Sequence, residues 1–91
     1  MKTAKIMTVI GRVQGVGYRY YTQKQANRIG VYGYVKNLYN GNVEVYAIGT
    51  PQQLQNFYSV LLKGPSMSHV ENILISEASI NQNDKTFRIT H

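Results

Sequence analysis

Residues 5–30 read KIMTVIGRVQGVGYRYYTQKQANRIG, and the hydrophobic period changes once within them. Lys5 to Val13 is rich in Ile, Val, Met and Thr, the composition of a strand buried on at least one side. A break carrying Gly15 and Gly17 follows. Beyond it Tyr18, Thr22, Ala26 and Ile29 recur at spacings of four, four and three, so they share one helical face, and Gly30 supplies a left-handed stop.

Downstream, Val31 to Tyr39 and Asn42 to Gly49 alternate about Asn40-Gly41, a pair that accepts the positive φ angles of a tight hairpin. Thr50-Pro51-Gln52-Gln53 then starts a second helix, with threonine at the cap, proline in the first turn and glutamine placed to reach back. Leu54, Phe57, Tyr58, Leu61 and Leu62 form its core stripe, and Gly64-Pro65 ends it. Val70 to Ile80 reads as a fourth strand, and Phe87-Arg88-Ile89 as a short edge strand.

The resulting βαββαβ order is that of the ferredoxin-like split motif, an α+β sandwich expected to lay two helices on one face of an antiparallel sheet. A second domain would need roughly 50 residues of its own, so the 91 residues are read as one domain spanning 1–91. If the first strand runs upward, the first helix returns and the second strand runs up again. The loop Gln14 to Arg19 and Asn37 then meet at one end of the sheet, rimmed by the turn Gly64 to His69.

Composition excludes several chemistries. With no cysteine there are no disulfides, thiolate zinc sites or thiol nucleophiles. No run approaches a membrane span, and Met1 to Lys5 leads into a strand rather than a signal-peptide core, so a cytoplasmic protein without membrane contact is expected. Ten basic residues against four acidic ones favour anionic partners. They are scattered from Lys2 to Arg88, not gathered into the stripe that nucleic acid would demand.

Gly15 and Gly17 let the backbone turn its N–H groups inward without a Cβ in the way, and the following helix points its positive dipole end at the same spot. Taken alone, two glycines before a helix more often make only a tight turn. Arg19 changes the weighting, because a cation in the first turn opposes the helix dipole unless an anion is expected there. Its planar guanidinium donates two parallel hydrogen bonds to phosphoryl oxygens. Asn37 is equally at home leading into a hairpin, but topology sets it beside the cradle, where its amide can hold a water in line with phosphorus. Of the four acids, Glu44, Glu71, Glu77 and Asp84, none is close to the loop in sequence, so a site without metal is expected. Without a placed general acid, such a site suits a substrate whose leaving group is already good, as a carboxylate leaving an acyl phosphate is.

Gly11-Arg12-Val13-Gln14-Gly15-Val16-Gly17-Tyr18-Arg19, with Gly33-Tyr34-Val35-Lys36-Asn37, Asn40-Gly41, Gly64-Pro65-Ser66 and the closing Phe87-Arg88-Ile89, closely resembles the acylphosphatases over nearly the whole chain. The resemblance implies a small cytoplasmic monomer that hydrolyses the carboxyl-phosphate bond to a carboxylate and inorganic phosphate, with no cofactor. Arg19 then matches the phosphate-binding arginine and Asn37 the water-orienting asparagine. The amides of Gln14, Gly15, Val16, Gly17, Tyr18 and Arg19 match the phosphate cradle, which inorganic phosphate or sulfate would occupy as product-like ligands. Direct in-line attack of water without a phosphoenzyme is the expected route.

His69 and His91 read as solvated or capping residues. Tyr32, Tyr34 and Tyr46 read as sheet packing and Tyr58 as core. An RNA-recognition module shares the element order, but Asn42-Val43-Glu44-Val45-Tyr46 lacks its basic-glycine-aromatic pattern and the first strand has no aromatic residue. An accessory phosphate-sensing domain, like those fused in hydrogenase maturation proteins, is disfavoured by the free-standing length.

Overall fold

A computed structural model describes residues 1–91. Five strands and two helices follow in the order β1 (Thr3–Arg12), α1 (Tyr18–Ile29), β2 (Tyr32–Asn37), β3 (Val43–Gly49), α2 (Pro51–Lys63), β4 (His69–Ala78) and β5 (Phe87–Thr90). The strands form one sheet in the order β4-β1-β3-β2-β5.

β3 lies between β1 and β2 and is antiparallel to both, pairing Val9 with Val43 on one side and Asn37 with Val43 on the other. β1 and β2 therefore run the same way, and the end of each opens on one edge of the sandwich. β4 is antiparallel to β1 and enters at that same edge, where His69 pairs with Arg12.

The sheet is mixed, not wholly antiparallel as the element order suggested, because β5 runs parallel to β2 with Val35 beside Ile89 and Lys36 beside Thr90. Direction of entry explains this. β4 ends beside Ala4, at the opposite edge, so a chain crossing from there to β2 joins it at Gly33 and runs toward Asn37. β5 consequently delivers Thr90 and His91 to the edge where the glycine loop sits.

Period-2 alternation divides the strands between two faces. Met7 and Val9 of β1, Val35 of β2, Val43, Val45 and Ala47 of β3, Ile73 of β4 and Phe87 of β5 are buried in one cluster with Tyr18 and Ala26 of α1 and Leu54, Phe57 and Leu61 of α2. Both helices thus cover a single face. Phe57 and Phe87 meet edge to face at 5.7 Å, a pairing worth about 0.5–1.5 kcal/mol beyond area burial, and it clamps β5 under α2.

α2 starts as its sequence requires: Thr50 Oγ1 accepts from the Gln53 amide at 3.1 Å, and Gln53 Oε1 accepts from the Thr50 amide at 2.8 Å. Its stripe is narrower than expected, since Leu62 is 44% exposed while Leu54, Phe57 and Leu61 suffice to fill the interface. β4 likewise stops at Ala78 rather than Ile80, because Ala4 is its last partner on β1. The Tyr46 hydroxyl then takes the chain out of the ladder, donating to the Ser79 carbonyl and accepting from the Asn81 amide.

On the uncovered face Ala4, Tyr46 and Ile48 are buried beneath Ile6, Tyr32 and Tyr34. Tyr34 stacks on Tyr46 at 5.4 Å, Lys2 lies over the Tyr32 ring, and Lys36 and Arg88 both lie over Tyr34. These rings are engaged within the protein, as the packing reading expected, and do not stand free as base-stacking platforms.

Candidate active site

The segment joining β1 to α1 needs two residues in the left-handed region, with φ of 74° at Gly15 and 78° at Gly17, the latter capping α1. No protein atom lies within 4 Å of the place a Cβ would take at either position. Within the protein itself the requirement for glycine is therefore torsional.

The turn and loop hydrogen bonds between backbone groups include none donated by residues 14–19, and the first bond of the helix is made by the Tyr21 amide to the Gly17 carbonyl. The loop and first turn thus present unpaired amides at the positive end of the helix dipole with no acidic residue in the first turn, an arrangement suited to an anion.

The residues named from sequence divide into three groups in space. Gly15, Gly17, Tyr18, Arg19 and Asn37 line one pocket of about 230 Å³, together with Val13, Tyr20 and Ile89. Gln14 does not line it. Its side-chain amide donates to the carbonyls of Leu38 and Asn42, both at 2.8 Å, so only its backbone is available to a cradle. Val16 packs against the core.

Tyr18 contributes a wall and a backbone amide, not a reactive phenol. Its hydroxyl donates to the Leu61 carbonyl at 2.6 Å, and burial, helped by neighbouring Tyr21, pushes the phenol well above its ordinary range. It stays protonated at neutral pH and cannot serve as a base there.

Asn37 closes β2, opposite Val43. Its Oδ1 is buried without a hydrogen-bond partner, a condition that costs about 1–3 kcal/mol and favours a donor arriving from the pocket. Arg19, half-buried in the first turn of α1, is the one charged side chain of the pocket lining. Its Nη1 donates to the Thr90 carbonyl at 3.4 Å and lies 3.1 Å from His91 Nδ1.

His91, set aside in sequence as a terminal solvated residue, thus touches the one cation of the pocket. Nothing in periodicity could have found it, since the contact depends on the parallel docking of β5. His69 is exposed and lies outside the pocket, and the Gly64 to His69 turn shares the edge without lining the site.

Three of the four acids are paired elsewhere, Glu77 with Lys5, Glu44 with Lys36 and Asp84 with Arg88, and the fourth, Glu71 of β4, is exposed and lines no part of the pocket. No group of three or more His, Cys, Asp or Glu side chains comes together. No helix is long and apolar enough to cross a membrane.

The family model described as Acylphosphatase matches residues 5–89. The chain is 48% identical to the acylphosphatase of Solibacter usitatus (strain Ellin6076) over 81 residues, covering 89% of this chain and 83% of the relative. Its fold superposes on the crystal structure of acylphosphatase from Bacillus subtilis with a TM-score of 0.93 at 35% identity, covering all of both chains. It also matches 12% of the T. kodakarensis HypF chain with a TM-score of 0.85 and 29% identity, over the whole of the present chain.

Proposed function

The chain belongs to the acylphosphatase family, and on that premise we propose that one 91-residue domain hydrolyses acyl phosphates by direct in-line attack of water, with neither metal ion nor phosphorylated enzyme. Family and fold support cleavage of the carboxyl-phosphate bond to a carboxylate and inorganic phosphate. The observation that carries the mechanism is the pairing, in one pocket, of the Arg19 guanidinium with the buried and unpartnered Oδ1 of Asn37.

In this reading the loop amides and Arg19 hold the three phosphoryl oxygens, and their donation strengthens as charge spreads over those oxygens in the transition state. Asn37 Oδ1 accepts a hydrogen bond from the attacking water and sets its lone pair toward phosphorus. The water oxygen bonds to phosphorus as the phosphorus–oxygen bond to the acyl group breaks, and the carboxylate leaves with the electron pair. Carboxylic acids ionise at about pH 4, so the leaving group needs no proton from the protein. The proton released by water passes to a phosphoryl oxygen or to solvent.

The scattered acids, none of which lines the pocket, support a route that needs no bound divalent cation. The resemblance supports a cytoplasmic monomer, with inorganic phosphate or sulfate as ligands of the same cradle.

The test is hydrolysis of benzoyl phosphate without added metal by the wild type and by Arg19→Ala and Asn37→Ala, each checked for folding. Loss of roughly a hundredfold or more in kcat/KM in both variants is expected, as for removal of a transition-state donor. A folded wild type that leaves benzoyl phosphate intact, or a phosphorylated side chain trapped during turnover, overturns it.

A further inference from the structure

We infer that Tyr20 receives the acyl end of the substrate: its exposed ring forms the outer wall of the pocket, packs on a flat aromatic acyl group and so sets which acyl phosphates this chain prefers. The inference rests on the hydrolysis proposed above and concerns the half of the substrate that the phosphoryl cradle does not touch.

In-line displacement fixes where that half must go. The attacking water and the leaving oxygen stand on opposite sides of phosphorus. The water is held by Asn37 Oδ1, which is buried, so the carboxylate leaves toward the mouth of the pocket. There is room for it, since the pocket measures about 230 Å³, roughly twice what a phosphoryl group displaces at about 30 Å³ for each water-sized atom. Of the apolar lining, Val13 and Tyr18 are buried and Ile89 is half-buried, whereas Tyr20 is 66% exposed. Tyr20 is therefore the ring that stands at the mouth.

A single exposed aromatic residue is ordinary on its own, so its placement and freedom decide the matter. Its neighbours in α1 are committed: Tyr18 donates to the Leu61 carbonyl at 2.6 Å and Tyr21 to the Val60 carbonyl at 2.7 Å, and their rings meet at 6.1 Å. Tyr20 enters none of the ring–ring or cation–π pairs of the protein. Helix side chains lean toward the N-terminus, and the surface that Tyr20 covers lies over the turn before it, on the side of Gly17. Gly17 has no side chain, and no protein atom lies within 4 Å of the place its Cβ would take. Ring and glycine leave a slot over the cradle, open to a planar group.

The chemistry of the wall selects the class of ligand. An acetyl group ends at a methyl and buries little against the ring. A benzoyl group presents an aromatic face or edge, which a tyrosine ring receives at about 4.5–7 Å between centroids. Arg19 is the one charged side chain of the lining and is engaged by the phosphoryl group, so an acyl group bearing its own carboxylate gains nothing at this wall.

The experiment measures kcat and KM of wild type, Tyr20→Phe and Tyr20→Ala on benzoyl phosphate and on acetyl phosphate, with inorganic phosphate as competitive inhibitor. A contact with the acyl group is made alike in the bound substrate and in the transition state. Tyr20→Ala is therefore expected to raise KM for benzoyl phosphate about three- to tenfold with kcat moved less than about twofold, and to lower the benzoyl-to-acetyl ratio of kcat/KM by about the same factor. Tyr20→Phe keeps the ring and should hold the wild-type ratio. The inhibition constant of phosphate, which has no acyl end, should move less than about twofold in Tyr20→Ala. Losses shared equally by both substrates, with phosphate weakened in step, would make Tyr20 a support of the cradle and overturn the inference. An unchanged ratio in Tyr20→Ala, or equal losses in Tyr20→Phe and Tyr20→Ala, would overturn it too. In each of those outcomes a wild type that hydrolyses benzoyl phosphate leaves the proposed function standing, whereas a folded wild type inert toward both substrates removes that function and the acyl subsite with it.

Discussion

The side chain of Gln14 is bound to the carbonyl of Asn42 at 2.8 Å, across the start of β3. A second bond of the same amide reaches Leu38 at 2.8 Å, so one nitrogen ties the glycine loop to the hairpin that follows Asn37. The loop amides and Asn37 are thereby held in register by a residue that lines no pocket. Gln14→Glu keeps the shape, removes both donors and sets a carboxylate against two carbonyls. We expect it to cost about 1–3 kcal/mol in urea unfolding, and to lower kcat/KM for benzoyl phosphate beyond any loss of folded protein. Gln14→Ala, which leaves the carbonyls to water, should be milder on both measures.

Gly17 sits at φ 78° with open space where a Cβ would fall, so substitutions there should rank by torsional preference and not by size. Asparagine visits the left-handed region more readily than alanine, and a β-branched residue resists it. Affinity for inorganic phosphate, measured by competitive inhibition, should fall in the order Gly17→Asn, Gly17→Ala, Gly17→Val. The penalty should reach about 1–2 kcal/mol for alanine, or roughly tenfold, if the loop turns its amides away to relieve the strain. An order that follows side-chain volume instead would show that the space is occupied.

Much of this was legible in the sequence because each local signal agreed with the fold. The threonine cap and glutamine of α2 and the Tyr18, Thr22, Ala26 face of α1 act through neighbours within one helical turn, where pattern determines geometry, whereas the Asn40-Gly41 turn is wider than a tight hairpin, with a positive φ at Gly41 alone and strands that stop at Asn37 and resume at Val43. Arg19 and Asn37 could be brought together because the returning helix α1 makes β1 and β2 run in the same direction, so that their ends meet at one edge. What could not be read depends on contacts distant in sequence. The side-chain amide of Gln14 seeks Asn42, 28 residues on, and His91 reaches Arg19 across 72 residues. The parallel pairing of β5 was hidden for the same reason, since a four-residue strand carries no record of its direction. Leu62 falls outside the stripe because Leu54, Phe57 and Leu61 already fill the interface and leave its side chain largely in solvent.

Thr22 marks a place where stability can be gained. It lies wholly buried on the inner face of α1, and its Oγ1 has no partner. Valine has the same branched shape and nearly the same helix propensity, without the polar atom. Thr22→Val should therefore raise stability by about 1 kcal/mol and the thermal midpoint by about 4–8 °C for a domain of this size, with benzoyl phosphate turnover unchanged because Thr22 lines no part of the pocket. A fall in stability would mean that the hydroxyl is paired in solution.

The phenol of Tyr34 gives a prediction at alkaline pH whose sign can be worked out. Burial first, then the hydrogen bond it donates to Glu44 and the charge of that carboxylate, push it up to about 12, with only Arg88 pulling the other way. An unfolded tyrosine loses its proton near pH 10. Between about pH 10 and about pH 12 the unfolded chain therefore binds fewer protons than the folded one, and each step upward in pH favours unfolding. The contribution of Tyr34 is fully present below pH 10 and gone once the folded phenol ionises. Buried Tyr18 and partly buried Tyr21, both raised as well, add to the same slope. The urea midpoint of the wild type should fall steadily above about pH 10, and that of Tyr34→Phe, lower at pH 7 for want of the bond to Glu44, should fall less steeply over the same interval. Absorbance near the tyrosinate band should show correspondingly fewer phenols ionised at pH 11 in the folded protein than in urea. Parallel midpoint curves for the two proteins would place the Tyr34 phenol in water, against the contact it makes with Glu44.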